Sequence, residues 1–218
     1  YLLGLSLIAS SLSGLGEDNE AGKYAQKLLN LSEKRYGKNS AKYAYALAHC
    51  SYLKEDNKKL DLLLKSLEIY SSLKGNYKLD IAEVLRALSD YYIDVCFEKS
   101  IEYQTKAMLI YESEEGKESV KYRISLGELA ELYYLSGNIN KAISYYDDYF
   151  LLTKEHLANN LLTLNKDNKF SYLDYYDYAL NTKILEVCYY GKELDKATEL
   201  AFDITLFKKS VLLSSECN

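Results

Sequence analysis

The 218-residue sequence has no proline, no tryptophan, one methionine and only two histidines. Proline removes an amide donor and clashes with the preceding turn, so its absence leaves every helical stretch free of that interruption. With only His49 and His156 available, imidazole chemistry is confined to two positions. The four cysteines, Cys50, Cys96, Cys188 and Cys217, make no CxxC pair and no regular spacing, which argues against a zinc site or a disulfide framework. They read as reduced thiols, mostly small core residues. HExxH, P-loop and GxGxxG patterns are missing, so metal, phosphate and dinucleotide chemistry have no foothold, and no cofactor is expected. No apolar run approaches the ~20 residues that span a bilayer, and no membrane partner is expected. A basic excess is missing as well: 27 basic and 32 acidic residues are interspersed, net charge -5, which leaves no footprint for nucleic acid. These absences favour a cytoplasmic protein whose work is recognition.

What is present is tyrosine, 24 residues of it, and a repeating pattern. Leu129, Ala130, Tyr133, Gly137, Ala142 and Tyr146 mark two short helices around a glycine. The equivalents of Ala130 upstream are Ser89, Ala48 and Ala9, at offsets of 41, 41 and 39 residues; those of Ala142 are Ser100, Leu60 and Ala21, at 42, 40 and 39. A period of this length marks a stacked array, because one helical hairpin cannot bury its apolar face alone. Punctuation agrees. Gly37 precedes Ser40, Gly75 precedes Asp80 and Gly116 precedes Ser119, each a helix stop followed by a helix cap. The spacing predicts helices near 2–14, 18–36, 40–54, 57–73, 80–95, 98–114, 119–136 and 139–157, with the third hairpin turn, Val95-Cys96-Phe97, about one residue tighter than the others.

Residues 1–157 are therefore expected to form four hairpins of one array, and 158–218 an irregular connection followed by a degenerate fifth hairpin. The expected fold is all-α, a right-handed α-α superhelix of about five hairpins. In the last hairpin a helix near 170–190 meets Gly191, and Ala197 and Ala201 keep helical spacing over 193–213. Leu206, Phe207, Val211 and Leu212 are the residues expected to seal its end. The apolar start, Tyr1 to Ile8, runs straight into a repeat position at Ala9 and reads as a first helix, not a signal peptide. The missing initiator methionine points to an excerpt of a longer chain.

The unit resembles the tetratricopeptide repeat (TPR), whose signature is a Leu and a small residue, then Tyr, Gly, Ala and an aromatic. Residues 129–146 fit closely, although Tyr149 stands where the family has a last Ala. Leu47, Ala48, Leu60, Leu64 and Leu67 keep the sizes in the second repeat without the turn glycine; Leu88, Ser89, Tyr91, Tyr92 and Ala107 survive in the third. The longer period and the absent inter-repeat proline are similar to the 42-residue variant of kinesin light chains and bacterial scaffolds. Two later stretches, Asn160 to Tyr176 and Ala201 to Glu216, resemble segments that precede CHAT domains, the caspase-like peptidase modules of bacterial TPR-CHAT proteins.

The resemblance implies a protein or peptide partner held on the inner surface by the first helix of each hairpin. Carried over residue by residue, the partner-binding positions are His49 and Tyr52, Arg86 and Asp90, and Glu131 and Tyr134. Each of these side chains also suits a plain solvated surface. Where the chaperone-binding subclass offers Asn and Lys to a terminal carboxylate, this chain offers His, Asp and Glu, which favours a basic or aromatic segment. The resemblance implies a regulatory region of a larger protein, in intramolecular contact with a CHAT peptidase; a free-standing adaptor is the alternative. Catalysis within these residues has little support. His49 and Cys50 are adjacent, so their side chains diverge by about 100° on a helix, and only His156 with Cys188 stays open as a pair.

Overall fold

A computed structural model describes residues 1–51, 56–161, 183–191 and 194–216. The described residues are helical, with no strand among them: α1 (Leu2–Gly14), α2 (Asp18–Tyr36), α3 (Ala41–Ser51), α4 (Asp56–Ser72), α5 (Lys78–Tyr92), α6 (Phe97–Glu115), α7 (Val120–Leu135), α8 (Ile139–Leu161), α9 (Ile184–Tyr190) and α10 (Asp195–Glu216). They divide into two compact units, Tyr1–Glu114 and Glu115–Asn218.

Glycine sets the ends of the helices. Gly16 and Gly137 hold φ near +80°, and the turn amides fold back: Glu17 N–H donates to the Leu12 carbonyl at 2.9 Å and Asn138 N–H to that of Tyr133 at 2.8 Å. This is the Schellman stop, which needs a left-handed residue and so favours glycine. Between hairpins, Gly37 and Gly116 take φ +83°, and the hydroxyls of Ser40 and Ser119 each accept from an amide three residues on, Tyr43 and Tyr122, at 3.2 Å. The junction at Gly75 departs from expectation. Asp80 does not cap α5; the helix starts earlier, with Tyr77 at the cap position and Asp80 in the first turn, where a carboxylate suits the helix dipole. The turn from α5 to α6 is also not tighter than those after α1 and α7. It runs over residues 93–96, because Ile93-Asp94-Val95-Cys96 offers no glycine and the reversal is made by Val95 and Cys96 amides on the Tyr92 carbonyl.

In the first unit the small repeat positions let helices meet at their backbones. Ser89 and Ser100 are both buried, and each hydroxyl donates to the other's carbonyl at 2.9 Å, with the two oxygens 3.0 Å apart. Alanine occupies the same two places in the fourth repeat, Ala130 and Ala142, both fully buried. The second hairpin is looser there. Leu60 is too large for close approach and stays half-buried with Ala48; the close contact lies at Ala44, whose carbonyl accepts from Ser66 at 2.8 Å. Ser89→Ala or Ser100→Ala alone should cost about 0.5–1.5 kcal/mol in urea unfolding. The double variant should cost about the sum of the two, since each hydroxyl donates to a backbone carbonyl that alanine retains. A double variant no worse than either single one would show that the two bonds form only together.

In the second unit α7 and α8 form a hairpin whose core continues onto α9 and α10 through Ile143, Tyr146, Phe150, Ile184, Val187, Leu200 and Ile204. Gly191 presses on α8 closely enough that a Cβ there would sit 2.6 Å from Ile143 Cδ1. The sealing stripe of α10 is Ala197, Leu200, Ile204 and Phe207, at helical spacing. Leu206 falls off that stripe and is exposed. The side chains of Val211 and Leu212 lie outside the described residues, as does the segment 162–182, including most of the Asn160 to Tyr176 stretch and of the helix expected near 170–190.

Candidate functional site

In the first unit the first helices of successive hairpins, α1, α3 and α5, are linked by polar side chains. The hydroxyls of Ser6 and Tyr45 lie 2.8 Å apart, and the Tyr45 ring packs on His49 with centroids 4.1 Å apart. His49 is half-buried, and loss of water pushes its pKa down from the usual imidazole value, opposed by the Glu83 carboxylate on α5. The ring is therefore a neutral, directional hydrogen-bonding group at neutral pH. Glu83 also pairs with Arg86 Nε at 3.8 Å. One turn further, Asp90 stands exposed but crowded on one side; that crowding raises its carboxyl pKa against the opposing pull of Arg86 and Lys59. Beside His49 a pocket of about 360 Å³ opens between α1, α2 and α3, lined by Ser6, Ala9, Ser10, Ser13 and Leu28. It is mainly apolar, with serine hydroxyls along the α1 wall. Tyr52 lies outside the described residues.

In the second unit Glu131 and Tyr134 share one side of α7, as their spacing of three dictates. Each meets a residue beyond the long connection. Glu131 is ion-paired with Lys183, and the Tyr134 hydroxyl donates to Glu186 at 3.2 Å. The Tyr190 ring lies 6.2 Å from that of Tyr134. Partial burial, then the Glu186 carboxylate, raises the Tyr134 phenol pKa and keeps it a donor. The structure thus brings His49, Arg86 and Asp90 together with Glu83 in one unit, and Glu131 and Tyr134 together with α9 in the other. Glu83, Lys183 and Glu186 were missed by sequence reasoning. Glu83 was signalled by its place three residues before Arg86, whereas the 52-residue step from Glu131 to Lys183 breaks the period that located the other positions.

The buried thiols of Cys50 and Cys188 are poor nucleophiles. Cys50 is buried and donates to the Ala25 carbonyl at 3.1 Å. Burial, with the Asp147 carboxylate, pushes Cys188 up to about 11, so its thiolate fraction at neutral pH is on the order of one in ten thousand. His156 is half-buried, its pKa lowered by burial and by the Arg123 guanidinium. Among the described residues no group of His, Cys, Asp and Glu is arranged to hold a metal ion, and no helix is long and apolar enough to cross a membrane.

Residues 96–150 match the tetratricopeptide repeat family. No curated protein matches the sequence. Among solved structures, nearly identical TPR-like repeats ascribed to a Podosopora anserina kinesin light chain are similar at 12% identity, TM-score 0.68, covering 96% of this chain and 95% of that one. A substituted form of those repeats gives a TM-score of 0.67 at 12% identity, over 97% and 96% of the two chains. BtubC (BKLC) from P. vanneervenii is similar at 14% identity, TM-score 0.70, over 94% of this chain and 79% of that one. The fold is that of an all-helical TPR-like solenoid.

Proposed function

We propose that the protein is a protein-binding scaffold that holds a basic or aromatic segment of its partner on the first-helix faces of its hairpins. The observation that carries this reading is the row from His49 through Glu83 and Arg86 to Asp90, set beside a mainly apolar pocket. A lysine, arginine or tyrosine would find a carboxylate, a ring and a recess within one short stretch. Asp90 is informative because it is exposed to an incoming cation, although crowding on one side raises its carboxyl pKa. On the second unit, Glu131 and Tyr134 offer the same chemistry, a carboxylate next to a phenol, already rehearsed by their contacts with Lys183 and Glu186.

The test starts from a display library of peptides panned against the full chain. Selected peptides should be enriched in Lys, Arg and aromatics and should bind more weakly as salt rises. Asp90→Lys combined with Glu131→Lys should weaken them by about tenfold, equivalent to 1.4 kcal/mol, while far-UV circular dichroism stays unchanged. A folded double variant with undiminished affinity would move the interaction to another face. The finer part of the proposal, regulation of a CHAT peptidase in the same polypeptide, rests on the two sequence stretches that resemble CHAT-proximal segments. An antibody to this region should then detect, in the source cells, a protein large enough to include that peptidase; detection only of a free-standing repeat protein would favour the adaptor role.

A further inference from the structure

The buried side of α2 is Ala21, Ala25, Leu28 and Ser32; the opposite side is basic. Lys23, Gln26, Lys27, Asn30, Leu31 and Lys34 line an open trough of about 480 Å³ along it. In a chain of net charge -5 this concentrates three ammonium groups and two side-chain amides with no carboxylate in the lining. Lys23 is paired with Glu20 at its edge, whereas among the described residues Lys27 and Lys34 have no carboxylate partner. An unpaired, exposed ammonium is a solvated charge whose attraction for an incoming carboxylate is not already spent on a neighbour.

We infer that this trough on α2 docks an extended acidic segment of a partner protein, separately from the first-helix faces. Lys23 to Lys34 spans about 16 Å at 1.5 Å per residue, the length of about five extended residues. Lys23, Lys27 and Lys34 would meet carboxylates along that length, and the Gln26 and Asn30 amides would pair with its backbone. The single apolar side chain of the lining, Leu31, is half-buried. It cannot insert into a bilayer, which separates this surface from a membrane-binding helix with protruding apolar residues. Nor does the trough lining hold an aromatic ring on which a base could stack.

The experiment is fluorescence anisotropy of a labelled Asp/Glu-rich peptide of about eight residues titrated with the full chain at low salt. Lys27→Glu with Lys34→Glu should weaken binding at least about tenfold. Lys65→Glu with Lys74→Glu, exposed lysines of the same unit that change the net charge equally, should change it less than about twofold. All four positions are exposed, so thermal melts should stay superimposable; Lys27→Gln with Lys34→Gln serves if the reversals disturb folding. Equal losses in the two double variants, no binding of the peptide, or trough-dependent binding only to phosphatidylserine vesicles or single-stranded polynucleotide would overturn the proposal.

Discussion

Phe150→Ala is expected to destabilise the second unit by about 3–5 kcal/mol, the usual cost of deleting a fully buried phenyl ring. Phe150 is 1% exposed on α8 and meets Phe207 of α10 edge to face, with centroids 6.0 Å apart and planes at 78°. Lys154 lies over both rings, 5.9 Å from each centroid. One side chain therefore joins the long helix of the hairpin to the helix that closes it, and its loss opens a cavity that two rigid helices cannot collapse. The melting temperature should fall by about 6–20 °C, at 2–4 °C per kcal/mol for a chain of this size. Amide exchange in α8 and α10 should accelerate together. With no tryptophan in the chain, near-ultraviolet circular dichroism reports on the tyrosines, including the stacked Tyr133 and Tyr145 pair of this unit. A fall of less than about 2 °C with unchanged exchange would show that this contact does not hold the two helices.

Ala130→Phe should cost about 1–3 kcal/mol by the opposite route, overpacking. Ala130 and Ala142 are both 0% exposed, on the facing sides of α7 and α8. A ring at 130 must either push the helices apart or turn into the space of Tyr146 and Ile143, which belong to the same core. Ala130→Ser is the control: the Ser89 place of the third repeat shows that a hydroxyl is accommodated at this position. An unchanged melt for the phenylalanine variant would remove the small-residue contact from the explanation of how these helices pack.

The repeat and the hairpins were legible because both follow from local rules. Small residues at 9, 89 and 130 recur where helices approach, and all three are buried; glycines at 16, 37, 75, 116 and 137 adopt positive φ where turns were expected. Ala48 failed the same test because its partner position holds Leu60, a pairwise condition that a single alignment column hides. The third turn was misjudged for a related reason: a turn without glycine needs an extra residue, and counting apolar positions does not reveal that. Candidate positions on first helices could be numbered from the repeat, yet their partners could not. Glu83 lay one turn from Arg86 and could have been found, whereas Lys183 and Glu186 stand beyond an irregular connection that carries no period. The lysine and tyrosine sandwiches also went unseen. Lys99 over Tyr92 stacked on Tyr103, and Lys141 over Tyr133 stacked on Tyr145, occupy equivalent places in the third and fourth repeats. They need a lysine and two tyrosines in register, a pattern visible only once the hairpin is folded.

The mutual hydrogen bonds of Ser89 and Ser100 constrain the ancestry of this repeat. If the alanine pair of the fourth repeat and the serine pair of the third descend from one ancestral hairpin, the lineage crossed a form with one of each. That form keeps one of the two bonds, because each hydroxyl donates to the other residue's backbone carbonyl, which alanine retains, so it lies between the two ends in stability. No step of the path is a trough, and neither substitution waits on the other. Drift at these two sites should then proceed one residue at a time, and mixed alanine and serine pairs should occur among copies of the repeat.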